Sequence, residues 1–112
     1  MPNFNDAPDQ GDLQVSKRIN FEEVKALMRG SEGAILYRLL PQGKKRGNEY
    51  VVLNPRRNDS KLGSFSINLH SHKWSDFATG DRGGDLISLW AYVRGINNLQ
   101  AAKEILALLG RN

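Results

Sequence analysis

Between Leu36 and Leu62 the chain carries seven basic residues, Arg38, Lys44, Lys45, Arg46, Arg56, Arg57 and Lys61, against two acidic ones, Glu49 and Asp59. That excess of five exceeds the +4 of the whole 112-residue chain. Clustered cations can neutralise phosphates, and each phosphate contact releases condensed counterions. Lysines at a sheet edge also serve solubility, so charge alone does not name a partner. The aromatics narrow the choice. Tyr37, Tyr50, Phe65, Trp74 and Phe77 lie on segments that read as strands, interleaved with the cations. Single-strand binders combine a cationic groove with aromatic platforms on which bases stack. Phe65 alternates with serines and reads as core. Trp74 and Tyr50 are the stacking candidates. Arg82, in the glycine-rich turn Gly80-Asp81-Arg82-Gly83-Gly84-Asp85, is a further phosphate contact. The candidate site is therefore Lys44, Lys45, Arg46, Arg56, Arg57 and Arg82, with Trp74 and Tyr50.

Other chemistries are poorly supplied. The glycine turn lacks the Lys and Ser/Thr that follow the glycines of a triphosphate-binding loop. Asp85 reads as a helix cap, and its charge opposes an anion there. His70 and His72 would share a strand face, but a tetrahedral metal site needs four ligands and only Asp76 is near. They read as solvated turn histidines. No nucleophilic triad or carboxylate cluster is visible, so the expected role is binding, without a cofactor. The chain has no cysteine, which excludes disulfides and thiolate metal sites. No apolar run approaches the roughly 18 residues of a membrane span. The first residues lack the order of a secretory signal. A cytoplasmic protein with no membrane partner is expected.

The elements that must position these residues are legible in outline. Hydrophobic residues make up 39% of the chain, enough for one modest core. Residues 1–19 are polar, with Pro2, Pro8 and Gly11, and read as a disordered tail. The folded domain is expected over 20–110. Asn20 stands three residues before Glu23, a capping-box pattern, and Phe21, Val24, Leu27 and Met28 form a helical stripe ending at Gly30. Ala34 to Leu40 reads as a strand, PQGKKRGN as a turn and Glu49 to Leu53 as the returning strand. That makes a hairpin with a basic tip. The loop from Asn54 to Gly63 would bring Arg56 and Arg57 to the same end of the sheet. Ser64 to Leu69 alternates as a half-buried strand does, with Phe65, Ile67 and Leu69 on one face. Lys73 to Phe77 pairs back. Leu86, Leu89, Trp90 and Val93 then mark a helix stopped by Gly95. Asn97 and Gln100 open the next, with Leu99, Ala102, Ile105, Leu106 and Leu109 as its stripe. The class is α+β: a small antiparallel sheet packed with an N-terminal helix and a C-terminal helical hairpin.

This order resembles the zinc-ribbon domain at the front of bacterial-type DNA primases. LYRLLPQGKKRGNEYVVL is similar to that family's strand, basic turn and Tyr. NPRR stands where the family has Cys-Pro-x-His, GSFSINL where it has Pro-Ser-Phe, and DFATG where it has Cys-x-x-Cys-Gly. RGGDLISLWAYVRGINNLQAAKEILALLG supplies the glycine-aspartate helix and its successor. The likeness covers about residues 31 to 110. It equates the four metal-ligand positions with Asn54, Arg57, Asp76 and Thr79, none a thiolate or imidazole. The resemblance thus implies a zinc-ribbon-like fold without zinc, held by side-chain hydrogen bonds or an Arg57–Asp76 ion pair. It also implies the function: an accessory DNA-binding module of a primase or primase–helicase, contacting single-stranded template for primer initiation. Mobile elements and prophages are the expected setting. The alternative is a protein-interaction module that docks onto a replicative helicase or polymerase, with Trp90 or Tyr92 as the exposed anchor.

Overall fold

A computed structural model describes residues 19–56 and 63–110. The expected N-terminal tail and the candidate Arg57 lie outside the described residues, apart from Ile19. Helix α1 (Phe21–Met28) begins where Asn20 predicts: its side chain accepts from the amides of Glu22 at 2.9 Å and Glu23 at 3.3 Å. These bonds satisfy donors that a helix start leaves without partners. Val24 and Met28 are buried, whereas Phe21 keeps about a third of its surface exposed (37%).

The first departure follows at once. The segment read as a strand forms a second helix, α2 (Glu32–Leu39). Ile35 and Leu36 are buried while Tyr37 and Arg38 are exposed. That two-in, two-out pattern fits a helical period and cannot fit a strand. A short apolar run such as AILYRLL is ambiguous by periodicity alone, and here tertiary burial chooses the helix.

The sheet is a five-stranded antiparallel meander in the order β1-β2-β3-β4-β5. Its strands are β1 (Lys44–Arg46), β2 (Glu49–Val52), β3 (Phe65–Asn68), β4 (Trp74–Asp76) and β5 (Arg82–Gly83). With α2 taken out of the sheet, the basic triplet becomes the edge strand itself. The hairpin turn is reduced to Gly47-Asn48, with Gly47 at φ +60°, the positive φ that tight hairpin turns require. Arg82 and Gly83, read as part of a turn, form the opposite edge strand.

Helix α3 (Leu86–Arg94) is capped by Asp85, whose Oδ1 accepts from the Ser88 amide at 2.7 Å, and closes on Gly95 at φ +70°. Helix α4 (Asn98–Leu108) is capped by Asn97 through the Gln100 amide at 2.8 Å. The two pack as the expected hairpin, and α1 lies against both. The Trp90 indole donates to Glu104 Oε1 at 2.6 Å, and Arg94 pairs with the same carboxylate at 3.0 Å. These two bonds hold the Glu104 carboxyl below its ordinary value.

One face of the sheet meets the helices. Val52, Phe65, Ile67 and Trp74 from it join Met28, Ile35, Leu36, Leu86, Leu89, Trp90 and Ile105 in one buried core. Tyr92 of α3 completes an aromatic trio, with ring centroids 4.8 Å from Trp74 and 6.2 Å from Phe65. The β3–β4 turn is pinned to the N-terminal helices. Arg29 donates to the His70 carbonyl at 3.0 Å, and His72 contacts Glu32 at 2.7 Å. His72, expected to be solvated, is buried at φ +69°. Burial raises the Glu32 pKa, but the His72 bond and backbone amides outweigh it and leave the carboxyl below its ordinary range.

Candidate nucleic-acid interface

The face of the sheet turned away from the helices carries the candidate site. Its geometry follows from strand register. Lys44 pairs with Val51, Val51 with Ser66, Ser66 with Ser75 and Ser75 with Arg82. All five therefore stand in one cross-strand row on one face. A cation ends the row at each edge, and buried Val51 and two serines lie between them. Four inter-strand spacings make the row roughly 19 Å long. Lys44 and Arg82 are exposed, and among the described residues neither has an ion-pair partner.

A second row, nearer the β1–β2 turn, runs from Arg46 through Glu49 to Asn68. Lys73 lies beside it, its carbonyl accepting from the Asn68 amide at 2.7 Å. At the other end of the strands Phe77 follows β4, its amide bonded to the Ser64 carbonyl at 2.8 Å. Its ring is 79% exposed, the most open of the large hydrophobic side chains described. Between these rows is a shallow groove of about 590 Å³ lined by Glu49, Ser66, Asn68, Lys73, Ser75, Phe77 and Arg82, among others. The surface thus offers separated cations, small hydroxyl side chains that let a ligand approach the backbone, and one open aromatic ring.

The structure redistributes the residues singled out from sequence. Lys44, Arg46 and Arg82 belong to this face. Lys45 is exposed but pairs with Tyr50, so it has the opposite parity. Tyr50 and Trp74 belong to the core side. Tyr50 is half-buried and donates to the Leu40 carbonyl at 2.6 Å. Trp74 is 5% exposed, and its indole donates to Ser88 Oγ at 3.0 Å. Trp74 is mostly covered and Tyr50 partly so, although Trp74 also lines the groove. Burial also explains Gly83, the cross-strand partner of Trp74. A Cβ there would stand 2.5 Å from both the indole nitrogen and Ser88 Oγ.

Arg56 is held against α3. It follows β2, beside whose C-terminal half Lys44 lies, paired with Val51. The Arg56 guanidinium donates to the Tyr92 carbonyl at 2.9 Å and sits 5.3 Å from the Tyr92 ring centroid. It satisfies a carbonyl in the last turn of α3, where a cation is favoured. Phe77 is the residue that sequence reasoning passed over. The signal was parity: Phe77 is three residues from Trp74, so in one extended strand the two rings face opposite ways.

Behind the face, the β2–β3 loop and the β4–β5 turn are joined by a buried polar network. Asn54 and Asp76 are both essentially inaccessible. The Asn54 amide donates to Asp76 Oδ2 at 2.8 Å and to the Tyr92 hydroxyl at 2.9 Å. Asn54 Oδ1 accepts from the Arg56 amide, and Asp76 Oδ1 from the Ala78 amide, each at 2.8 Å. Tyr92 in turn donates to Asp81 at 2.7 Å. Burial raises the Tyr92 pKa, and the neighbouring aspartates add to it. Tyr92 is thus a structural tie and not an exposed docking anchor. Of the side-chain bonding expected between these positions, the described residues show the Asn54–Asp76 hydrogen bond. The Arg57 side of that expectation lies outside the described residues.

Comparison with protein-family models returns no match, and comparison with curated proteins returns none either. Among the described residues no group of three or more His, Asp or Glu is placed to hold a metal ion, and no helix is long and apolar enough to cross a membrane. We expect the fold to be independent of metal. EDTA should leave the melting temperature unchanged; a drop of several degrees, or stoichiometric zinc by elemental analysis, contradicts this.

Proposed function

We propose that the outer face of the sheet binds single-stranded DNA, and that the domain serves as an accessory template-binding module of a primase or primase–helicase. The observation that carries the reading is the Lys44–Val51–Ser66–Ser75–Arg82 row, cationic at both ends, beside the exposed Phe77 ring. A flexible strand laid along it brings phosphates to the edges and a base to Phe77. The sequence likeness to the primase zinc-ribbon domain supports the context. The polymerase and helicase activities then belong to other domains or subunits.

The test separates charge from stacking. If about three cations contact phosphates, log affinity falls against log salt with a slope of roughly −2. The double variant Lys44→Ser, Arg82→Ser should flatten the slope to about −0.7, with a stability change within ~0.5 kcal/mol. Phe77→Ala should weaken binding by about 1–3 kcal/mol and leave the slope unchanged. If neither variant alters affinity, this face is not the site.

A second groove favours the protein-docking reading for a different face. It holds about 630 Å³ between α2 and the helical hairpin and is lined by Arg38, Leu39, Val93 and Leu108, among others. That reading takes precedence if the wild-type domain shows no affinity for DNA at low salt.

A further inference from the structure

We propose that Glu49 gives the sheet face base selectivity, accepting a hydrogen bond from the exocyclic amine of cytosine and so favouring amino-bearing bases over thymine. The inference rests on the single-stranded DNA reading of that face and goes beyond it. Among the described residues Glu49 is the one acid lining a groove whose other polar lining is Lys73, Arg82, Asn68 and serines, beside Phe77 and Trp74. A carboxylate there repels phosphate, so its presence works against simple charge attraction. It is also held in place. Asn68 Nδ2 donates to Glu49 Oε2 at 2.9 Å. Asn68 is itself locked, its Oδ1 accepting from the amides of His70 at 2.9 Å and Ser71 at 2.7 Å. The amide therefore has one orientation, and it aims the carboxylate.

Arg46 is the cross-strand neighbour of Glu49 on β1, yet no ion pair joins the two. Glu49 is half-buried, and its Oε1 has no bond to a described residue. An oriented acceptor on a base-binding surface reads donors. Cytosine presents its N4 amine, for which Glu and Asp are the matching acceptors. Thymine presents O4 at the same place, an acceptor facing an acceptor. Its N3–H is flanked by two carbonyls that a carboxylate opposes.

The experiment compares fluorescein-labelled dC12 and dT12 at low salt and pH 8, for wild type and for Glu49→Gln. The two oligomers carry equal charge, and pyrimidine rings of similar size limit the contribution of stacking. Wild type should bind dC12 at least fivefold more tightly than dT12. Glu49→Gln, which can still accept from Asn68, should melt as wild type does, and its dC12:dT12 ratio should fall toward one. Gln also offers an N–H to thymine O4, so dT12 should bind the variant more tightly than it binds wild type. Equal affinities in wild type, or a ratio unchanged by the substitution, overturn the role of Glu49 while leaving the DNA reading intact. If neither oligomer binds wild type, the DNA reading fails and the selectivity goes with it.

Discussion

Trp90→Ala should destabilise the domain by about 3–5 kcal/mol, the usual cost of truncating a buried aromatic. Trp90 is 5% exposed and shares the core with Leu86 and Leu89 of its own helix. The variant loses packing and also leaves Glu104 without its indole donor, a bond of 2.6 Å. That bond and the Arg94 pair tie α3 to α4, so the helical hairpin loosens where the cavity opens. Domains of this size have about 5–15 kcal/mol in total, so a large share of the folded population is at stake. Urea denaturation followed by far-ultraviolet circular dichroism measures it. Trp90→Phe should fall between, since it keeps most of the apolar area and loses the indole bond. A wild-type midpoint for Trp90→Ala contradicts the packing of α3.

Asp76→Ala should cost about 3 kcal/mol or more. Hydrogen bonds to a charged group contribute about 1.5–3 kcal/mol each, and a buried donor left alone adds its desolvation penalty. The variant removes the acceptor of both the Asn54 amide and the Ala78 amide, at a site with no access to water. Among the described residues, Tyr92 would still link Asn54 of the β2–β3 loop to Asp81 of the β4–β5 turn. Asp76→Asn should recover little, because rotating the new amide to serve one donor sets its own NH2 against the other. Chemical denaturation of both variants provides the measurement. If Asp76→Ala melts with wild type, the network does not hold the two loops together.

Much of the fold was legible because it is written in local chemistry. Asn20, Asp85 and Asn97 cap helices that begin where capping rules place them. Phe65 and Ile67 are buried on one face of β3, as strict alternation requires. The failures have physical causes too. Residues Ala34 to Leu40 are apolar enough for either period, and contacts distant in sequence decide between them. That one substitution of helix for strand moved the basic triplet from a turn into an edge strand. For Trp74 and Phe77 the parity was readable, but which of the two faces inward depends on Tyr92 and Ser88, far along the chain. His72 could not be read as buried, because its partner Glu32 lies forty residues away at the start of a helix read as a strand.

The most direct test of the central claim is a titration of fluorescein-labelled single-stranded DNA with the wild-type domain at two salt concentrations. Weak binding at low salt, with log affinity falling against log salt at a slope of roughly −2, is the expected result for about three phosphate contacts. No binding at low salt, or an affinity indifferent to salt, contradicts a phosphate-binding role for the Lys44–Arg82 row.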